Sequence, residues 1–254
     1  MVRGGSCVVA LRCPRAAGDL SAGTTESAVR GAMETVFVLN LDYACAVTLD
    51  TERLPWQPSP AAGVWRKPLA REEAERGHAT SVVRFDAGAH FAAHGHPGGE
   101  EILVLDGCFS DETGDFPAGT YFRNPPGFSH APFTRDGCVL FVKLHQFQDD
   151  DRSRVAIDTR AGRWESPAPG VEVLWLHRHG EESVVMVRSA AGVPGIAHAH
   201  PGGEEIFVVQ GVLEDEDGRY GPGTWLRRPR GSHHCPVSRE PTLLWVKAGH
   251  LPGA

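Results

Sequence analysis

Apolar and polar positions alternate along this chain in short runs of four to eight residues, and Gly and Pro interrupt the runs at regular spacing. A period of two is the signature of half-buried strands, whereas helices repeat near 3.6. Glu34 to Leu49 alternates and is rich in β-formers such as Val36, Phe37 and Val38. Further strands are expected from Trp65 to Leu69, from Thr80 to Phe85 and from Val139 to Lys143. Arg71 to His78 reads as a charged loop, and the best helical candidate, Leu69 to Ala74, is only a turn or two long. Many short strands with Gly and Pro punctuation indicate an all-β sandwich or barrel.

The pattern then repeats. Beyond an acidic linker, Asp149-Asp150-Asp151, a strand runs through Leu176, a loop spans His177 to Glu182, and from Val187 the halves align without a gap. The offset is 104 residues, as from His94 to His198. Val139-Leu-Phe-Val-Lys143 is matched by Leu243-Leu-Trp-Val-Lys247. A period this long exceeds that of solenoid repeats and means a duplicated domain. The expected organisation is an N-terminal extension over 1–33 without fixed structure, a first domain over 34–150 and a second over 151–254.

One stretch in each half carries chemistry. Gly88-x5-His94-x-His96-Pro-Gly-Gly-Glu100-x6-Gly107 is followed by Gly119-x5-Pro125-x-Gly127-x2-His130. The second half repeats both, with His198, His200, Glu204 and Gly211, then Gly223, Pro229, Gly231 and His234. Histidines two apart on a strand leave the same face. Pro-Gly-Gly turns the chain, so the Glu that opens the next strand folds back towards the imidazoles. Three neutral imidazoles and one carboxylate suit a divalent transition metal, zinc, iron or manganese, up to two ions per chain. Strand parity favours Glu100 and Glu204 over Glu101 and Glu205, which should point the other way to surface or outer contacts. The gapless repeat favours His234 over His233. His90, opposite Pro194 in the repeat, is expected to line the pocket. Arg123 and Arg227 are expected in structural salt bridges, Lys143 and Lys247 on solvated edges, and Tyr121 and Trp225 in packing.

Composition narrows the partners. Net charge is −7 with scattered basic residues, so nucleic acid is not an expected partner. Hydrophobic residues make up 41% of the chain, and no apolar run is long enough for a membrane helix. Six Cys show no Cys-x-x-Cys pair and read as reduced thiols of a cytoplasmic protein, with Cys108 and Cys138 buried. The segment Met1 to Ala32 lacks a signal-peptide core, and Met33 is a candidate start.

The paired motifs resemble the cupin superfamily, and more closely the cupin half of ChrR-type anti-sigma factors. His-Pro-Gly-Gly-Glu-Glu, Asp111 to Tyr121 and Arg123-Asn-Pro-Pro-Gly-x-x-His130 carry the likeness, and Asp215 to Trp225 extends it to the second half. The resemblance implies two tandem jelly-roll barrels (double-stranded β-helices), a bicupin, each with a metal inside. Thr134 and Ser238 stand where cupins usually have Asn, and Arg230 replaces the second Pro. The anti-sigma relatives carry an N-terminal zinc motif, but here no His precedes His78, so a sigma factor is not an expected partner. The resemblance implies small-molecule or oxidative-stress sensing. The alternative is a non-haem dioxygenase that uses O2 on a small organic substrate. Cupins often dimerise through sheet edges, so the resemblance implies a homodimer or the same packing between the two halves.

Overall fold

The computed structural model describes residues 39–72 and 77–253. The extension over 1–33, the strand pattern over 34–38 and most of the charged loop lie outside the described residues. Among those described, the structure is all-β apart from one 3-10 turn, Thr51–Arg53. The helical candidate does not form where it is described: Leu69 to Arg71 completes the strand Val64–Arg71, because Leu69 and Ala70 are buried there in a sheet. The loop expected over His177 to Glu182 is a tight hairpin instead, since strands Val171–His179 and Glu182–Ser189 run almost to its tip.

Two sheets of the same order result. One runs Val155–Asp158, Thr120–Asn124, Glu100–Asp111, Cys138–Leu144, Ala79–Phe85, Val64–Arg71, Gln57–Pro58. The other runs Val47–Asp50, Thr224–Arg228, Glu204–Gln210, Thr242–Ala248, Glu182–Ser189, Val171–His179, Glu165–Ala168. The first strand of each sheet comes from the other half of the sequence. Val47–Asp50 pairs antiparallel with Thr224–Arg228, and Val155–Asp158 pairs with Thr120–Asn124. Each barrel therefore closes one exposed edge of its partner, which removes unpaired backbone groups. The glycine that ends the first motif is needed for close approach. At Gly107 (φ +69°) an added Cβ would lie 2.1 Å from the Gly137 carbonyl, and at Gly211 (φ +78°) 2.2 Å from that of Pro241.

Strand alternation sorts residues into three cores. Ile102, Val104, Phe109 and Phe122 fill the first barrel, and Ile206, Val208, Leu213 and Leu226 the second. The opposite sheet faces meet between the barrels, where Leu103, Tyr121 and Phe141 pack on Phe207, Trp225 and Trp245. Phe141 stacks on Phe207 with ring centroids 4.6 Å apart, and Trp245 meets it edge-on at 5.0 Å. Tyr121 and Trp225 pack as expected, at 0% exposure each.

This interface also encloses charge. Lys143 and Lys247, expected on solvated edges, are 1% and 0% exposed. Lys247 Nζ donates to Glu101 Oε2 at 2.8 Å, and Lys143 Nζ reaches Glu205 of the other barrel. The two pairs are related by the repeat. Glu101 accepts a hydrogen bond from the Tyr121 hydroxyl (2.9 Å), and Glu205 accepts one from Trp225 Nε1 (3.2 Å). Glu101 and Glu205 do point away from the imidazoles of the two clusters, but into the buried interface rather than to the surface. Neighbouring strands place Arg123, Glu101 and Lys143 side by side on one sheet face. Arg123 bridges Asp151 (2.9 Å) and Glu182 (3.2 Å), so it is structural, and Arg227 donates to the carbonyls of Asn40 and Asp42. Buried charges are tolerated only when paired and hydrogen-bonded.

Removing one partner should leave the other uncompensated. Lys143→Met is expected to lower stability by about 3–5 kcal/mol in urea unfolding, and adding Glu205→Gln, which keeps an acceptor for Trp225, should restore most of it. Burial alone would raise the Glu101 carboxyl, but Lys247 and Arg123 outweigh it and hold it at about 2. Burial is likewise outweighed at Glu205 by Lys143 and His250, and its carboxyl sits well below the ordinary range. A carboxyl depressed by folding stabilises above its unfolded value, near 4.5, and that contribution fades as pH falls towards 2. Acid unfolding of the wild type followed between pH 5 and 2 should therefore be steeper than that of Glu101→Gln.

Candidate metal centres

Each candidate centre is assembled from two short ribbons and the start of a long strand. His94–His96 pairs with Phe128–His130, placing His94 opposite His130. His198–His200 pairs with Ser232–His234, placing His198 opposite His234. The Pro-Gly-Gly turn then lets the chain re-enter at Glu100 and at Glu204. The period of two puts each His-x-His pair on one face.

In the second barrel, donor atoms of His198, His200, Glu204 and His234 all lie within 4.8 Å of one another. His234 Nε2 is 3.5 Å from Glu204 Oε1, and His200 Nδ1 is 3.6 Å from Glu204 Oε2. In the first barrel the mutually close group is His94, His96 and His130. Glu100 lies 3.4 Å from His96 Nε2 and 3.3 Å from His130 Nε2, but is not part of that group. The Asn124 side-chain amide donates to Glu100 Oε1 at 2.8 Å and holds the carboxylate to one side. Seven of the eight residues singled out by spacing lie in these two groups, and Glu100 stands beside the first, outside it. His90 is exposed, and its backbone bridges Phe133. His233 is exposed beside His234.

Hydrogen bonds fix the tautomers. His94 Nδ1 and His198 Nδ1 donate to the carbonyls of Ala92 and Ile196, both at 2.9 Å. His130 Nδ1 meets Asp111 Oδ2 at 3.0 Å, and His234 Nδ1 meets Asp215 Oδ2 at 3.2 Å. In all four rings Nε2 keeps its lone pair, and that of His130 faces His96 Nε2 at 3.0 Å. Such outer partners orient metal-binding imidazoles and raise their basicity. Asp111 and Asp215 were not singled out as site residues by spacing. Their one signal is position, 19 residues before the third His in each half.

The donor set fits a metal. His200 Nε2, His234 Nε2 and Glu204 Oε1 are buried without a hydrogen-bond partner, and buried polar atoms are normally satisfied. Donors bound at about 2.1 Å to one ion sit about 3.0–3.4 Å apart, close to the spacings found. Burial, with the charge of nearby imidazoles, lowers His96 to about 3 and His200 to about 4, so both are neutral at physiological pH. Burial raises Glu204 to about 7 and also raises Glu100. A cation would stabilise both as carboxylates.

The jelly-roll sheets and paired His/Glu clusters define a cupin-fold protein built as a bicupin. The chain belongs to the ChrR cupin-like domain family, whose pattern it matches twice, over 45–148 and 152–252. No curated protein matches it in sequence. Among solved structures, a provisionally assigned dioxygenase from Nostoc punctiforme superposes with a TM-score of 0.69 at 14% identity, over 83% of this chain and 85% of that one. Protein Ylba from E. coli gives 0.64 at 12%, over 87% and 97%. Oxalate decarboxylase from Lactobacillus farciminis gives 0.60 at 14%, over 80% and 86%. At these identities the likeness establishes the fold alone. No described helix is long and apolar enough to cross a membrane.

Removing an outer partner should loosen the ion without unfolding the barrel. Asp111→Asn and Asp215→Asn are each expected to weaken metal affinity at their own site about 10–100-fold, measured by chelator competition with circular dichroism unchanged.

Proposed function

We propose that this chain is a metal-dependent bicupin that holds one divalent transition ion per barrel, through His94, His96, Glu100 and His130 and through His198, His200, Glu204 and His234. The observation that carries this reading is the pair of buried, unpartnered atoms His234 Nε2 and Glu204 Oε1, 3.5 Å apart, within a group of four residues whose donor atoms all lie within 4.8 Å of one another. Their chemistry, imidazole plus a hard carboxylate, suits iron or manganese as well as zinc. A bound ion would supply Lewis acidity and, if iron or manganese, redox chemistry. The protein residues orient the donors, exclude water from the buried side and keep His96 and His200 neutral.

Iron or manganese favours about six ligands, so four protein donors leave positions for a small organic substrate and O2. The activity proposed is therefore dioxygenase-type oxidation. Its support is the exposed edge of His198, which opens the second centre to solvent. The solved bicupin neighbours include a provisional dioxygenase and a Bacillus subtilis oxalate decarboxylase described with Mn(II) centres, the latter at a TM-score of 0.56, 14% identity and 82% and 78% coverage. The second reading is small-molecule or oxidative-stress sensing without turnover in the cytoplasm, and membership of the ChrR cupin-like family favours it.

Elemental analysis of purified protein should find close to two ions per chain, and His94→Ala with His198→Ala should abolish them. Oxygen uptake on a panel of diketones and flavonols separates the readings. Iron or manganese with turnover supports the oxygenase, whereas tightly held zinc with no uptake supports sensing.

A further inference from the structure

The two centres share their donors but not their surroundings. In the first barrel, Phe91 lies over the His94 ring with centroids 5.4 Å apart, and Phe128 meets His130 edge-on at 5.4 Å. Behind them Phe109 lies 6.1 Å from His130. The repeat puts Gly195, Ser232 and Leu213 in those three places. Among the described residues, the imidazoles of the second centre make ring contacts only with one another. Gly195 cannot carry a ring, because an added Cβ would fall 1.9 Å from the Pro236 carbonyl, and the Ser232 hydroxyl turns away to donate to the Pro229 carbonyl at 2.6 Å. His94 is accordingly half-buried and His198 exposed.

The carboxylates differ in the same sense. Asn124 pins Glu100, and Arg154, reaching in from the segment after the first barrel, fixes both walls. Its Nε donates to Asn124 Oδ1 at 3.2 Å, which turns the amide NH2 towards Glu100, and its guanidinium covers Phe128 at 4.8 Å. The repeat equivalent of Asn124 is Arg228, which is engaged elsewhere, with Asp215, Asp217 (2.7 Å) and the Tyr220 hydroxyl (3.0 Å). Glu204 Oε1 is left without a partner.

Building on the metal-centre reading above, the geometry points to a division of labour: the His198–His200–Glu204–His234 centre admits an exogenous small anion to its ion, while Phe91, Phe128 and the Asn124–Arg154 clamp close the first centre. The class of ligand follows from charge. Three neutral imidazoles and one carboxylate leave a divalent ion with residual positive charge, which favours anionic donors. Phe128 and Ser232 are the selecting positions, and Asn124 is a positioning residue for Glu100.

The test uses full-length protein loaded with Co(II), whose visible spectrum reports its ligands, and azide as the anion. His200→Ala retains only the first centre and His96→Ala only the second, each checked by cobalt content. The His96→Ala protein should show a saturable spectral change with azide, and the His200→Ala protein should respond at least tenfold more weakly. Adding Phe128→Ser to His200→Ala should bring the response up, and adding Ser232→Phe to His96→Ala should suppress it. Equal azide responses from two cobalt-loaded proteins would overturn the division of labour and leave the metal reading standing. Absence of cobalt from both would overturn the metal reading and this inference together.

Discussion

At the head of the long strand in each barrel two glutamates stand side by side, and a strand sends neighbours to opposite faces. Glu100 and Glu204 turn into the barrels towards the imidazoles; Glu101 and Glu205 turn outwards and meet the lysine of the other barrel. The carboxylate beside each candidate metal centre is thereby bonded, through one peptide unit, to the residue that pairs with the other barrel. A slip of one residue in this strand would expose both carboxylates to the wrong environment at once. Register is therefore specified from two sides, by three imidazoles within and by an ammonium without.

The interface pairs this charge with a large apolar surface. Phe141, Phe207, Trp225 and Trp245 are buried between the sheets, and fully burying a Phe side chain alone is worth about 1.5–3 kcal/mol. The ion pairs embedded among them add little net stability after desolvation. In the observed docking each lysine meets the glutamate of the other barrel. Exchange of the first strands between barrels fixes the same arrangement through the backbone.

Duplication gave two copies of one scaffold, and substitution then made them unlike. The donor residues agree position by position, while the positions around them diverge from phenyl rings to Gly, Ser and Leu, and from Asn to Arg. Donor geometry is set by strand parity and a turn, which tolerate no change. The walls are set by packing, and packing admits volume-compensated alternatives. Divergence between the halves therefore reaches the walls of the candidate centres but not their donors.

Local rules made much of this legible in the chain itself. The period of two, the Pro-Gly-Gly turn and the 104-residue repeat specify the strands, the duplicated fold and the His/Glu constellations, because each depends on residues a few positions apart. His177 to Glu182 and Leu69 to Arg71, the part of the helical candidate that forms strand, differ from the sequence expectation because charged or helix-forming residues sit there at the ends of strands that tertiary pairing extends. Only the folded molecule decided where Lys143, Lys247, Glu101 and Glu205 go, since their partners lie 62 and 146 residues away and meet them only once the barrels dock. The same holds for Asp111, Asp215 and Arg154, whose roles arise from approach across strands and connectors. Parity is written in the sequence, whereas the identity of a neighbour across an interface is a property of three-dimensional closure.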